Sequence, residues 1–347
     1  MSRILGVGII GTGPVTQGLH LPTLMRLRDR FRVVHIAGRT ASTTAHVAAW
    51  HGARAGTDVD ALLADPAVEV VAINSPSDLH ANHAIAALEA GKAVLVEKPL
   101  ATSAGDAQRI LDCARRTGGH VQVGTMHVYD PAWQAALARH RNHMAAATLI
   151  RSTIVLPPNP LFEDWSGQII GRKGYPPPFD LTVAPVRAAI IRATIIGLAV
   201  HELPLIREIV PDWGDLRVLS ARPLPPFAYD IHLAVGGRLV QLTATLHTHR
   251  WSEWSMAFLG ADAEVRVDFT PSYVPAGSGR VTLVSESGTA IVPPVTANGY
   301  LAQWVQLHDV VCAGAAPLHG LAAAVEDIDL ALTLADRCSA WAMEHAA

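Results

Sequence analysis

The sequence predicts an α/β protein with two parts. The first is a doubly wound parallel sheet, and the second is an α/β domain with a large open, mostly antiparallel sheet. Three observations predict this. Between residues 4 and 124, short apolar runs alternate with stretches of helical spacing. Those runs are apolar throughout rather than at every second residue, as strands covered on both faces must be. After about residue 147 the pattern changes to alternating segments punctuated by turn residues.

Taken in order, ILGVGII (4–10) is a buried strand, and the turn GTGP leads into a helix over 15–27. FRVVHIAG (31–38) is a second strand, followed by a helix over 42–50 with Ser42 as its N-cap and a short helix over 58–65. VEVVAINS (68–75), AVLVE (93–97) and HVQVG (120–124) are further strands. The helix over 79–91 ends at Gly91, and the helix over 103–118 opens on Ser103 with Asp106 three residues later, an acidic form of the capping box. The second part carries strands near 216–222, 228–236, 238–249, 254–260, 263–269, 280–285 and 289–293, with VGGRL as a hairpin turn. Helices over 297–313 and 320–344 close the chain. The expected domains are 1–125, 126–319, and a C-terminal helix, 320–347, packing back on the first.

Composition excludes several classes. The net charge of -3, with acids and bases interspersed, leaves no basic stripe for nucleic acid. The most apolar stretch, 183–200, contains Arg187 and Arg192, so it reads as buried protein structure rather than a membrane span. Cys113, Cys312 and Cys338 are widely separated and lack C-x-x-C spacing, which fits reduced, buried thiols in the cytoplasm and no metal centre. His247 and His249 share one strand face, without the cysteines or carboxylates of a metal site.

Gly11-Thr12-Gly13, between a strand and a helix opened by Pro14 and Val15, is the context of a dinucleotide turn. Gly11 permits the bend, Gly13 lets the backbone approach a pyrophosphate, and the helix start supplies amide donors. Thr16 stands where the third glycine of the pattern would fall. At the end of the second strand the chain has Arg39 and Thr40 instead of an acid. A guanidinium and a hydroxyl there favour a 2′-phosphate, hence NADP(H) over NAD(H), which the same turn would also accept.

These residues resemble a known family. VGIIGTGPVTQGLHLPTL, INSPSDLHANHAIAALEAGKAVLVEKPLA and VGTMHVYDPAW are similar to the Gfo/Idh/MocA oxidoreductases, closely over residues 4–135 and more loosely beyond. The resemblance implies a Rossmann domain followed by an open-sheet domain. It also implies hydride transfer between nicotinamide and a secondary alcohol or ketone carbon of a sugar, cyclitol or related small molecule. Ser75, Pro76, His80, Glu97 and Lys98 then join the cofactor site. Lys98 is one of only three lysines against 24 arginines, and it would face the oxygen on the reacting carbon. A Lys98–Pro99 cis bond is expected. His201 aligns with the family's acid/base histidine. The family's aspartate four residues earlier is Gly197 here, and a later one is Pro204. Glu202 would diverge from His201 by about 100° along a continuous helix. His127 and Tyr129 would line the substrate pocket, with Val128 replacing a usual arginine. Trp165, Lys173 and Asp180 lie on proline-rich loops that would border it. The resemblance also implies a homodimer or homotetramer through the open sheet. Two other functions share this fold: a dinucleotide-binding sensor without catalysis, and NAD-assisted glycoside cleavage.

Overall fold

The computed structural model describes residues 3–172, 179–246 and 251–345. Lys173, His247 and His249 lie outside the described residues. The chain forms two compact units. The first comprises Met1–Thr125, Glu163–Gly174 and Tyr300–Ile328, and the second Met126–Phe162, Tyr175–Gly299 and Asp329–Ala347.

The first unit holds six parallel strands: β1 (Leu5–Ile10), β2 (Phe31–Ala37), β3 (Arg54–Gly56), β4 (Val70–Ile73), β5 (Ala93–Val96) and β6 (Val121–Val123). Their order is β3-β2-β1-β4-β5-β6, the dinucleotide-binding order. Every residue of β1 and β4 is buried, as their unbroken apolar runs require. β3 was not foreseen. Its three residues are exposed or half-buried on the sheet edge, with no apolar run to mark them. Ser103 caps the helix Ala104–Thr117 by accepting from Asp106 N, and Gly118 ends it at φ 68°.

The second unit holds β7 (Leu149–Leu156), β8 (Arg217–Leu224), β9 (Ala228–Val235), β10 (Arg238–Leu246), β11 (Glu253–Leu259), β12 (Ala263–Asp268), β13 (Arg280–Ser285) and β14 (Gly288–Val292). Their order is β14-β13-β12-β11-β7-β10-β9-β8, and every pairing is antiparallel except β10 with β7. β7 also went unread in the sequence. Its Arg-Ser-Thr centre interrupts the apolar signal, although Ile150, Ser152, Ile154 and Leu156 all turn inward. Gly236 and Gly237, both at positive φ, make the β9–β10 hairpin.

The apolar stretch 184–201 is long and apolar enough to cross a membrane by composition alone. Its α-helical part is Ala184–Gly197, about 21 Å long against the ~30 Å of a bilayer core. It packs on β8 and β9. The Arg187 guanidinium is buried, donating to the carbonyls of Leu181, Thr182, Ala342 and His345.

The C-terminal helix, Leu321–Glu344, is divided between the two units after Ile328. From Asp329 onward it belongs to the second, where Ser339 Oγ donates to Ala188 O and Arg337 to Leu216 O. The preceding segment, Tyr300–Ile328, joins the first unit because Trp304 and Leu307 are buried in its core beside Leu5, Phe31 and Leu95. Among the cysteines, all expected to be buried, Cys113 and Cys338 are buried and free, while Cys312 is exposed. Burial pushes the Cys338 thiol up to about 12, so it is an inert core group.

Candidate active site

The glycine turn begins where β1 ends. Gly11 has φ 103°, and a Cβ there would lie 2.5 Å from the Asn74 carbonyl oxygen, so both the turn and the neighbouring strand end require glycine. Thr16, in the third-glycine position, ties the turn together. Its hydroxyl donates to Gly11 O at 2.8 Å and accepts from Asn74 Nδ2 at 3.0 Å. Gln17 Nε2 donates to Thr12 O at 2.7 Å. Residues Thr16–His20 form a π-helical turn, a local form frequent at functional sites.

Gly13 differs from Gly11. A Cβ there would meet nothing within 4 Å, so nothing in the protein's own packing requires glycine. The open flank is the cradle a pyrophosphate needs. Asn74 Oδ1 is buried beside the turn and has no hydrogen-bond partner among the described residues. These features fit a dinucleotide at Gly11, Thr12, Gly13, Pro14 and Val15. They also separate two substitutions. Gly11→Ala should destabilise the fold by about 1–3 kcal/mol through strain. Gly13→Ala should leave the melting temperature unchanged while weakening dinucleotide binding about tenfold. Thermal melts and nucleotide titrations of both variants check this.

Arg39 and Thr40 follow β2 and are exposed. The helix runs Ala41–Ala49, so its N-cap is Thr40 and not Ser42; Thr40 is the last extended residue, and its side chain makes no capping bond. Among the described residues no carboxylate pairs with Arg39. Ser75 is half-buried and Pro76 exposed after β4. His80 was expected among the cofactor contacts. Its two ring nitrogens face Pro99 O at 2.7 Å and Ser75 O at 2.9 Å, so it braces the two loops that follow β4 and β5.

Lys98 follows β5 at the carboxyl edge of the sheet and is half-buried. Its peptide bond to Pro99 is cis, as expected. Glu97 is buried. Its Oε1 lies 2.9 Å from His20 Nε2, and its Oε2 accepts from Lys98 N at 3.2 Å. Sequence reasoning had passed over His20, which reads as one more residue on an apolar helix.

In the second unit His201 lies in a short 3₁₀ turn, Ala199–His201, between the helices Ala184–Gly197 and Leu203–Ile209. Glu202 was expected to face away from His201. Neighbours in a 3₁₀ turn do diverge, by about 120°, yet Glu202 is buried as well, 1% exposed, because its carboxylate reaches Trp254, against which the His201 ring also stands edge-on. Glu202 Oε1 accepts from Trp254 Nε1 at 2.5 Å and lies 3.1 Å from His127 Nδ1. The indole N–H can only donate, so this oxygen is an acceptor and His127 presents Nδ1–H to it. The His127 ring stacks on Phe269 at 3.9 Å, and the Trp254 ring stands edge-on to both histidines. The centroids of His127 and His201 are 6.1 Å apart. At Gly197 a Cβ would lie 3.2 Å from the Phe227 ring, a tight contact that the ring would have to ease by a few tenths of an ångström.

His127 and Tyr129 sit on the buried helix Met126–Tyr129, which Asp130 anchors by accepting from Ala132, Gly279 and Gly299 amides. Asp180 is exposed and spends its carboxylate on the Thr182 amide and hydroxyl. Trp165 is exposed in the first unit, so it and Asp180 belong to different units.

Burial keeps the His127 imidazole neutral and pushes its pKa down to about 3. In the unfolded chain it would titrate near 6.5. The unfolded state therefore binds the extra proton between these values. The stability this residue contributes is fully present above about pH 6.5 and is lost as pH falls towards about 3. The stability difference between wild type and His127→Asn, from urea unfolding, should shrink over that window.

Against this geometry, the family model described as "Oxidoreductase family, NAD-binding Rossmann fold" (Gfo/Idh/MocA) matches residues 5–125. An uncharacterized oxidoreductase, ORF334, of Rhizobium meliloti is 30% identical over 237 residues, covering 67% of this chain and 68% of that protein. The chain belongs to the Gfo/Idh/MocA oxidoreductase family. Inositol 2-dehydrogenase 3 of Saccharopolyspora erythraea is 39% identical over 132 residues, and that match spans only 38% of its length. Among solved structures, the 3-ketoreductase KijD10 from Actinomadura kijaniata, in complex with NADP and TDP-benzene, superposes with a TM-score of 0.72. It covers 95% of this chain and 96% of its own at 19% identity, which shows a shared fold. As a Gfo/Idh/MocA member, the chain is an NAD(P)-dependent dehydrogenase or reductase.

Proposed function

We propose that the enzyme transfers hydride between NADP(H) and a secondary alcohol or ketone carbon of a sugar, a cyclitol or a related polar small molecule. The observation that carries this reading is Lys98. In a chain that uses arginine almost everywhere, a lysine stands at the carboxyl edge of the parallel sheet, directly after a buried carboxylate. The inositol dehydrogenase and the 3-ketoreductase support the substrate class, and the NADP bound to the latter supports the cofactor.

Gly11 to Val15 would hold the pyrophosphate, with Arg39 and Thr40 on the 2′-phosphate. When bound, the nicotinamide supplies or accepts the hydride. Lys98 donates a hydrogen bond to the oxygen on the reacting carbon and favours its alkoxide-like form. His201 takes the hydroxyl proton on oxidation and returns it on reduction. His127 and Tyr129 orient substrate, with Trp165 and Asp180 as further contacts. The open sheet face, bearing Arg151, Glu253, Arg266 and Arg280, would pair two or four copies, which sedimentation equilibrium tests. The free thiols support a cytoplasmic location, tested by fractionation.

The reading is tested by incubating the enzyme with cyclitols, sugars and nucleotide-linked sugars, each with NADP⁺ and with NAD⁺, and following reduced nicotinamide. Turnover with a cyclic polyol, faster with NADP⁺, is expected. A glycoside that releases its sugar without accumulation of reduced cofactor would replace hydride transfer by cleavage.

A further inference from the structure

Three side chains far apart in sequence form one hydrogen-bonded line in the first unit. Trp304 Nε1 donates to His20 Nδ1 at 3.1 Å, and His20 Nε2 meets Glu97 Oε1 at 2.9 Å. An indole N–H has no lone pair to offer, so His20 Nδ1 is the acceptor and the hydrogen of His20 resides on Nε2, facing the carboxylate. Trp304 thus selects the His20 tautomer. The second carboxylate oxygen accepts from the Lys98 backbone amide at 3.2 Å. Glu97 is held at both oxygens.

The surroundings are built for this carboxylate. The side chain of His20 is wholly buried, Trp304 is wholly buried, and Glu97 keeps about a tenth of its side chain accessible. Gly124 makes the space, since a Cβ there would come within 2.9 Å of Glu97 Oε1. Trp304 packs edge-on to His20 and Phe31, which fixes its N–H direction. Burying a carboxylate at an apolar sheet edge costs stability, and replacing such groups by an apolar set of similar volume is often neutral or stabilising. Stability therefore does not explain the chain of groups. What it adjoins is Lys98.

We infer that Trp304 and His20 are positioning residues for Lys98, acting through Glu97: they hold its carboxylate fixed and anionic beside the lysine, and so set the charge and placement of the ammonium. The inference rests on the reading of Lys98 as the group that faces the reacting oxygen. Burial alone would push the Glu97 carboxyl up, yet the His20 hydrogen bond and the Lys98 charge bring it below the ordinary range. The charged groups and histidines whose charge acts on Glu97 are His20, Lys98 and His80, the last with its ring nitrogens turned to Pro99 O and Ser75 O. Remove the His20 donor and the Glu97 carboxylate loses its anchor: burial disfavours its charged form, and it is free to turn away from Lys98, which then loses the counter-charge held beside it.

The test reads Lys98 directly and needs neither substrate nor turnover. The protein has three lysines, so [6-¹³C]lysine labelling gives three side-chain signals, and Lys98→Met identifies the one that matters. In His20→Phe the Lys98 titration midpoint should fall about 1–3 pH units below wild type. His20→Gln, which returns an N–H toward Glu97, should restore most of it. Trp304→Phe keeps the ring and removes only the N–H, and should lower the midpoint by about half a unit or more. An unchanged midpoint in folded His20→Phe overturns the inference. If that variant does not fold, an unchanged midpoint in Trp304→Phe overturns it. Because the readout is a titration, it can fail while Lys98→Met still abolishes turnover, and the reverse.

Discussion

Lys98→Met should lower kcat by about 10²–10³ while leaving the dissociation constant for NADP(H) nearly unchanged, the size expected for loss of one donor aimed at developing charge. The physical basis is local. Lys98 is half-buried at the end of β5, beside a carboxylate fixed by His20 and by the lysine's own amide. Methionine keeps the length and apolar stem and removes only the charge and donors. Lys98→Arg should not rescue activity, since a planar guanidinium is wider and holds its proton too firmly to follow the change at the oxygen. Turnover by Lys98→Met within a few-fold of wild type would mean that Lys98 is only a strand-end charge.

Glu202→Leu should destabilise the protein by roughly 2–4 kcal/mol in urea unfolding, because the buried donors of Trp254 and His127 lose their common acceptor and each unsatisfied donor costs about 1–3 kcal/mol. Adding Trp254→Phe and His127→Phe should recover part of that loss, as apolar groups then replace both sides of the interaction. A loss under about 1 kcal/mol for the single variant would remove Glu202 as the hub of the cluster. The same substitution should slow turnover at fixed NADP(H) saturation, since His127 and His201 share the Trp254 ring.

The parallel sheet was legible because its strands are short apolar runs set between helices, one of them capped by Ser103, and in the second unit the two hairpin glycines mark the β9–β10 turn by residue type alone. β3 and β7 were not legible, one for want of apolar residues and the other for a polar centre whose partners come from β10 and β11. Lys98 stood out because lysine is rare in this chain and follows a strand. The inward turn of Glu202 was not legible because its partners, Trp254 and His127, lie 52 and 75 residues away in the chain. Nothing local could reveal the contact of His20 with Trp304 across 284 residues. Nor does the spacing of the last helix show that its residues from Asp329 onward group with the second unit.

The most direct test is a fluorescence titration of the protein with NADPH and, separately, with NADH. The account predicts saturable NADPH binding, much weaker NADH binding, and loss of that preference in Arg39→Ala. Equal or reversed preference would make Arg39 a surface charge. No binding of either nucleotide would contradict the central claim that the Gly11–Gly13 turn holds a nicotinamide cofactor beside Lys98.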